Sequence, residues 1–325
     1  MNRAVRAWAT RVAAAATLAV VVWRLGAGPF LDGLRAVDRG ALAAGVGLGV
    51  LTTVCCAWRW TIVARGLGLH LSLPTAIAAY YRSMFLNLTL PGGVVGDVHR
   101  GVSHGRAVGD VGRGLRAVAW ERAAGQVVQV IMTIVVLLAL PSPVRSFIPL
   151  VAVALVAAVI GVILMDRARP GRGRSHWARL RGAVARDIRD GLLAPRGLPA
   201  IALASAVVVV GHAVTFMIAA RTAGTTVPAS RMLPLALLAM LAMVLPSVAG
   251  WGPREGASAW VFGAAGLGAE HGVTVAVLYG VMVLAASLPG ALVLLGAWLP
   301  RARPSRQPEP RHRGRVPVVV RRTEH

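Results

Sequence analysis

Six stretches of this chain, near residues 8–25, 41–60, 116–140, 146–165, 199–220 and 273–298, are almost wholly apolar. A run of about 20 such residues, wound as a helix, covers the hydrocarbon core of a bilayer. A backbone in lipid must satisfy its own hydrogen bonds, so these runs commit the chain to helices rather than open strands. With 56% hydrophobic residues and 14% charged ones, disorder is excluded and an ordinary soluble globule disfavoured. The chain reads as a multi-pass membrane protein.

The first run has two readings. Its uncharged core, Val12 to Val22, follows Arg3, Arg6 and Arg11, as in a secretory signal peptide. Trp23 and Arg24 interrupt it and no small-x-small cleavage site follows, so an uncleaved first span is expected. Cleavage would leave every later orientation unchanged.

All 35 basic residues are arginine, against 12 acids, for a net charge of +23. Such an excess can signal nucleic acid. Here the arginines lie between apolar runs, where they orient a chain in the membrane and touch anionic lipid, so no nucleic-acid partner is expected. Residues 166–196 carry nine arginines and residues 301–325 carry eight, which places both segments in the cytoplasm. Within the first, His176 to Leu193 can form a surface helix, with Trp177, Leu180, Val184 and Ile188 on one face and Arg179, Arg186 and Arg189 off it. The expected organisation is a membrane domain over 1–300, with 166–196 as a cytoplasmic loop, and a disordered Arg/Pro-rich tail over 301–325.

Orientation then constrains the rest. Span 146–165 must exit into the Arg-rich loop, so 116–140 runs from inside to outside. The first two spans also return the chain to the inside near Arg65. The chain between 74 and 113 therefore enters and leaves on one side. The same count puts both ends of 232–268 outside. The expected fold is all-α: about six full transmembrane helices and two oppositely oriented re-entrant hairpins, related as an inverted repeat. An internal echo agrees: "LPGGVVGDVHRG" from Leu90 and "LPSVAGWGPREG" from Leu245 share Leu-Pro, Gly, Arg and Gly in order. Paired broken helices of opposite orientation mark inverted-repeat transporters.

Arg82, Arg122 and Arg254 lie in or beside apolar stretches, where a charge costs roughly 2.5–3.5 kcal/mol. Asp97 with Arg100, Glu121 with Arg122 and Glu255 with Arg254 add nearby charges. Neighbours on a helix point about 100° apart, so the partners of Glu121 and Arg122 are expected across the bundle. Two readings stand: buried ion pairs that fix helix register, or a polar cavity where arginines hold a phosphate bidentately. Pro91, Gly92, Gly93 and Gly96 break the helix and free backbone N–H groups, which favour anions at a half-helix N-terminus. Arg100, Arg122, Arg254, Asp97, Glu121 and Glu255 are expected to converge on one solvent-reachable cavity. His99 and His104 lack metal-ligand spacing, and no metal or cofactor is implied. His212, in mid-span, is a hydrogen-bonded structural residue or a proton relay. Tyr80 and Tyr81 read as interface anchors, and Cys55 and Cys56 as small packing residues. No nucleophile arrangement stands out, so no enzymatic activity is expected.

The run "WRWTIVARGLGL" (Trp58 to Leu69), then "FLNLTLPGGVVGDVHR" (Phe85 to Arg100), "WER" (Trp120 to Arg122) and "LPSVAGWGPRE" (Leu245 to Glu255) resembles the lysylphosphatidylglycerol synthase transmembrane, or flippase-like domain, family. The resemblance implies a bacterial cytoplasmic-membrane protein with both termini inside. It would translocate a phosphate-bearing lipid, such as an aminoacyl-phospholipid or polyprenyl-linked glycolipid, without the family's soluble synthase domain. It carries over Asn87, Pro91, Gly93, Asp97, Arg100, Glu121, Arg122, Gly250, Gly252, Arg254 and Glu255 as substrate-site positions, beside Gly92 from the hairpin reading. "LPSVAGWG" departs from the family, which more often shows paired glycines there. Alternative readings are a non-transporting scaffold for a glycosyltransferase or aminoacyltransferase and, last, an intramembrane lipid-modifying enzyme. Anionic lipid is expected as a partner in each.

Overall fold

A computed structural model describes residues 38–90, 92–140, 182–195, 197–245, 247 and 250–298. The expected spans 8–25 and 146–165, Pro91, the first half of the Arg-rich loop and the tail lie outside the described residues. The described residues form helices joined by turns, with no strand. The protein is an all-helical membrane protein.

Three long apolar helices fall where the uncharged runs place them: α1 (Arg39–Gly66), α4 (Val111–Ala139) and α5 (Leu198–Thr222). A fourth apolar unit is α8 (Ala269–Ser287), continued past Pro289 by α9 (Pro289–Trp298). At 1.5 Å per residue the shortest of the first three, 25 residues, is about 38 Å long and exceeds a hydrocarbon core of about 30 Å. Their ends are set locally: the Asp38 carboxylate accepts from the Ala41 N–H, and the Asp110 carboxylate from the Arg113 N–H.

Four shorter helices form two hairpins. The first is α2 (Leu73–Thr89) and α3 (Val95–Ala107). The second is α6 (Ala229–Leu241), extended by a 3-10 turn Ala242–Val244, and α7 (Pro253–Ala264). The longest, 17 residues, reaches about 26 Å, too short to cross a full hydrocarbon core upright. The tips turn through Gly92 and Gly93 and through Gly250 and Gly252, at φ between 66° and 116°, which side chains with a Cβ rarely adopt.

The hairpins approach from opposite ends of the bundle. The first begins and ends beside the C-terminal end of α1, where Leu69 and Leu71 pack with Trp60 and Ala64, and Gly105 lies against Val111. The second begins and ends beside the C-terminal end of α5, where the Thr225 hydroxyl and His271 Nε2 lie 2.6 Å apart. The tips meet: the Gly92 N–H donates to the Ser247 carbonyl at 3.0 Å, and Gly250 sits against Leu88. Gly92 and Ser247 occupy the same place in the two echoing segments, each two residues past the Leu of Leu-Pro.

Small residues bring α1, α5 and α8 close, as at Gly45 against Met282 and Gly211 against Thr52. One apolar core, with Phe216, Leu235, Phe262, Leu278 and Met282, fills the half around the second hairpin; another, around Trp60, Ala76, Tyr80 and Ala117, fills the first. Of the expected amphipathic helix His176–Leu193, residues 182–192 are helical, ending in a π turn over Ile188–Leu192. This part is docked on the bundle: Asp187 accepts from Arg116 Nε at 2.8 Å and from Trp120 Nε1 at 3.1 Å.

Candidate functional site

The contact between the tips borders a cavity of about 250 Å³. Its wall combines both hairpins with the long helices. Asn87, Gly93, Ser247, Gly250 and Arg254 come from the hairpins; Arg59, Arg122, Gln126, His212 and Tyr279 come from α1, α4, α5 and α8.

Behind that wall the first half carries a chain of alternating charges. Arg59 on α1 donates to Glu121 Oε1 through Nη2 at 2.5 Å and Nε at 3.0 Å, and its Nη1 donates to Ser205 on α5. Arg100 on α3 donates to the other oxygen, Glu121 Oε2, at 2.6 Å and to Asp97 at 3.0 Å. Arg122 on α4 donates to both Asp97 oxygens, at 2.8 and 2.9 Å. Asp97 also accepts from Ser83 and Asn87 on α2 at 3.1 Å each, and the Asn87 carbonyl receives the Gly96 N–H. Arg100 and Glu121 are fully buried, while the Arg122 side chain, last in the chain, is 43% exposed. Arg100 also lies 4.4 Å from the Tyr80 ring and 4.6 Å from Trp60, which cover its flat faces.

The second half is simpler. Arg254 pairs with its neighbour Glu255, whose other oxygen accepts the Gly252 N–H at 2.6 Å and so caps α7. The Arg254 guanidinium stands 5.2 Å from the Tyr279 ring and 5.5 Å from Trp251. The Tyr279 hydroxyl lies 2.9 Å from His212 Nδ1. Asp97 and Glu255 are equivalent, each the third residue of the helix returning from a tip, where a helix N-terminus favours a negative charge.

Two glycines make room for this chemistry. A Cβ on Gly125 would lie 2.9 Å from the Arg59 guanidinium, and one on Gly280 would lie 2.5 Å from Arg254 Nη2. Both are helical glycines whose missing side chains leave seats for an arginine.

The structure divides the expected site residues into two sets. Asn87, Gly93, Arg122, Gly250 and Arg254 line the cavity. Asp97, Arg100, Glu121 and Glu255 stand behind it as counter-charges, and Gly92 and Gly252 serve the tip turns. The expectation that all six charges open onto one cavity is thus corrected: Arg100, Glu121 and Glu255 are sealed off from water, because each is enclosed by its neighbours. Glu121 and Arg122 do take partners across the bundle, whereas the adjacent Arg254 and Glu255 pair with each other. Tyr80 and Tyr81 are buried packing residues rather than interface anchors. The apolar run 41–60 puts Arg59 at a span end; the helix continues to Gly66, which sinks Arg59 nearly two further turns. The apolar "TIVA" that follows it, Thr61 to Ala64, was the available signal. Tyr279, Gln126 and Gln129 also line the cavity and carried no signal beyond their place in apolar helices.

The family described as the lysylphosphatidylglycerol synthase TM region matches residues 8–304 of the chain. No curated protein and no solved structure matches it.

Two outcomes are expected from this geometry. Glu121→Gln leaves Arg59 and Arg100 facing one another without their shared carboxylate and should destabilise the protein by about 3–5 kcal/mol. Arg122→Gln, at the half-exposed end, leaves Asp97 its contacts with Arg100, Ser83 and Asn87 and should cost clearly less. Unfolding midpoints in a mild detergent compare them, and equal losses would deny the chain its structural role. Gly280→Ala should keep the fold, since a guanidinium can swing away, yet displace Arg254 and weaken anion binding. A variant that binds anionic lipid as the parent does would show that the seat is unimportant.

Proposed function

The chain belongs to the lysylphosphatidylglycerol synthase TM region family, and on that premise we propose that it moves a phosphate-bearing lipid headgroup across a membrane through the cavity between its hairpin tips. The observation that carries this reading is the charge of that cavity. Its wall holds Arg59, Arg122 and Arg254, and the first-half chain pairs three arginines with two carboxylates, leaving one positive charge in excess. Arg122 Nε and Arg254 Nε have no partner. Those two atoms are buried, so a phosphate oxygen fits instead the exposed part of the Arg122 side chain, because guanidinium and phosphate match in charge and in fork geometry.

The hairpins give the cargo a route. In this reading they are re-entrant, entering a bacterial cytoplasmic membrane from opposite faces beside six full spans, with both termini in the cytoplasm. Both return helices, α3 and α7, direct their N-terminal, positive ends toward the meeting of the tips, as in inverted-repeat transporters. A cavity of about 250 Å³ suits a headgroup alone, so the acyl or prenyl tails stay in the surrounding lipid. No bond is made or broken in this function; the arginines bind, and passage between the tips is the only event.

Two experiments test this. For topology, cysteines are placed at 70 and 108 and, separately, at 226 and 270, with Cys55 and Cys56 changed to Ala. The first pair should label only from the cytoplasm and the second only from outside; a pair split between faces would turn its hairpin into a full span. For transport, Arg122→Lys and Arg254→Lys keep charge but lose the fork. Each should slow headgroup translocation in proteoliposomes at least tenfold, with folded yield maintained. Parent-like rates in the double variant would end the reading.

A further inference from the structure

Among the described residues, the cavity wall contains three arginines and no carboxylate. The acids paired with those arginines, Asp97, Glu121 and Glu255, are engaged: Asp97 by two arginines, Ser83 and Asn87, Glu121 by two arginines and Tyr80, and Glu255 by Arg254 and the Gly252 N–H. At the positions on α4 that follow Arg122 toward the other end of the bundle, the wall presents the neutral amides Gln126 and Gln129. The buried Gln126 carboxamide oxygen has no partner.

From this arrangement we infer that the lipid taken by the cavity has an anionic headgroup without an ammonium group: a phosphate ester whose remaining polar groups are hydroxyls. The inference rests on the transport reading above and narrows it. A phosphate meets Arg122 and Arg254, and hydroxyls of a glycerol or a sugar meet the two glutamines, whose amides both donate and accept. An aminoacylated headgroup brings ammonium groups, each with three donors and no acceptor. Among the described residues the wall gives them no carboxylate, and the one positive charge left in excess by the ion pairs repels them. A site discriminates as much by an unpaired charge against the wrong ligand as by contacts to the right one. Of the two cargoes that the family resemblance implies, the aminoacyl-phospholipid is therefore the one this wall rejects.

The test offers the full chain equimolar phosphatidylglycerol, lysyl-phosphatidylglycerol and a polyprenyl phosphate, and reads retained lipid by native mass spectrometry. The expected result is at least tenfold preference for an anionic lipid over the lysyl form; which anionic lipid is retained tells a glycerophospholipid from a prenyl carrier. Equal or better retention of the lysyl lipid, or no lipid retained, overturns the inference. Gln126→Glu and, independently, Gln129→Glu place a carboxylate on the wall. Either should narrow the preference about tenfold, by holding an ammonium or by cancelling the charge of Arg122. Unchanged preference in both folded variants also overturns it. Translocation of the same lipids in proteoliposomes separates the two ideas. If the lysyl lipid moves as fast as the anionic ones, selectivity fails and transport stands. If nothing moves while anionic lipid is still preferred in binding, transport fails and selectivity stands.

Discussion

Glu121 lies between two guanidinium groups, Arg59 on one oxygen and Arg100 on the other, with no access to water. Any one of these charges alone in a lipid-embedded bundle would be prohibitive. Together they form an alternating series that joins α1, α3 and α4, held to α2 through Ser83 and Asn87 and to α5 through Ser205. The first hairpin and three long helices therefore cannot slide past one another without breaking a pair. Buried ion pairs as a class contribute little net stability, since apolar residues of similar size often do as well. What such a series does, and an apolar core cannot, is hold one more cation than anion in place. The excess appears where the series reaches the cavity, at Arg122.

The two halves solve the same problem with different means. Each hairpin returns through a helix whose third residue is an acid, and each acid faces an arginine near the cavity. In the first half the arginine comes from another helix, and several hydrogen bonds tie α2 to α3. In the second the arginine and the acid are neighbours in sequence, and Glu255 closes its own helix end instead of tying two helices together. Aromatic rings complete both seats, Tyr80 with Trp60 and Tyr279 with Trp251. These are large apolar side chains whose ring faces accept a cation, so they pack as core residues and stabilise charge together.

The helices and the broken segments were legible because lipid imposes length and removes charge, and both leave marks in a linear sequence. The runs at 41–60, 116–140 and 199–220 reappear as α1, α4 and α5, and both Leu-Pro segments end a helix. The site was legible only as a set of residues. Which charges meet depends on helix rotation, and a pair separated by 62 positions, such as Arg59 and Glu121, has no local signature. Arg59 shows the cost most clearly: a span over 41–60 leaves it one residue from the end, at the water boundary. Here the charge is sunk within the helix because a glycine at 125 and a carboxylate at 121 receive it.

The joint between the tips is weak by comparison with what stands on either side. Among the described residues, one backbone hydrogen bond, Gly92 to Ser247, and the close approaches of Gly93 to Ser247 and of Gly250 to Leu88 connect them. A hydrogen bond of that kind contributes about 1 kcal/mol net, while uncoupling Glu121 from one of its arginines costs about 3–5 kcal/mol. On those magnitudes the tips part more readily than the charge series comes apart. Its hydrogen bond joins the equivalent positions Gly92 and Ser247 of the two echoing segments, so separation there divides the molecule between its two halves and across neither.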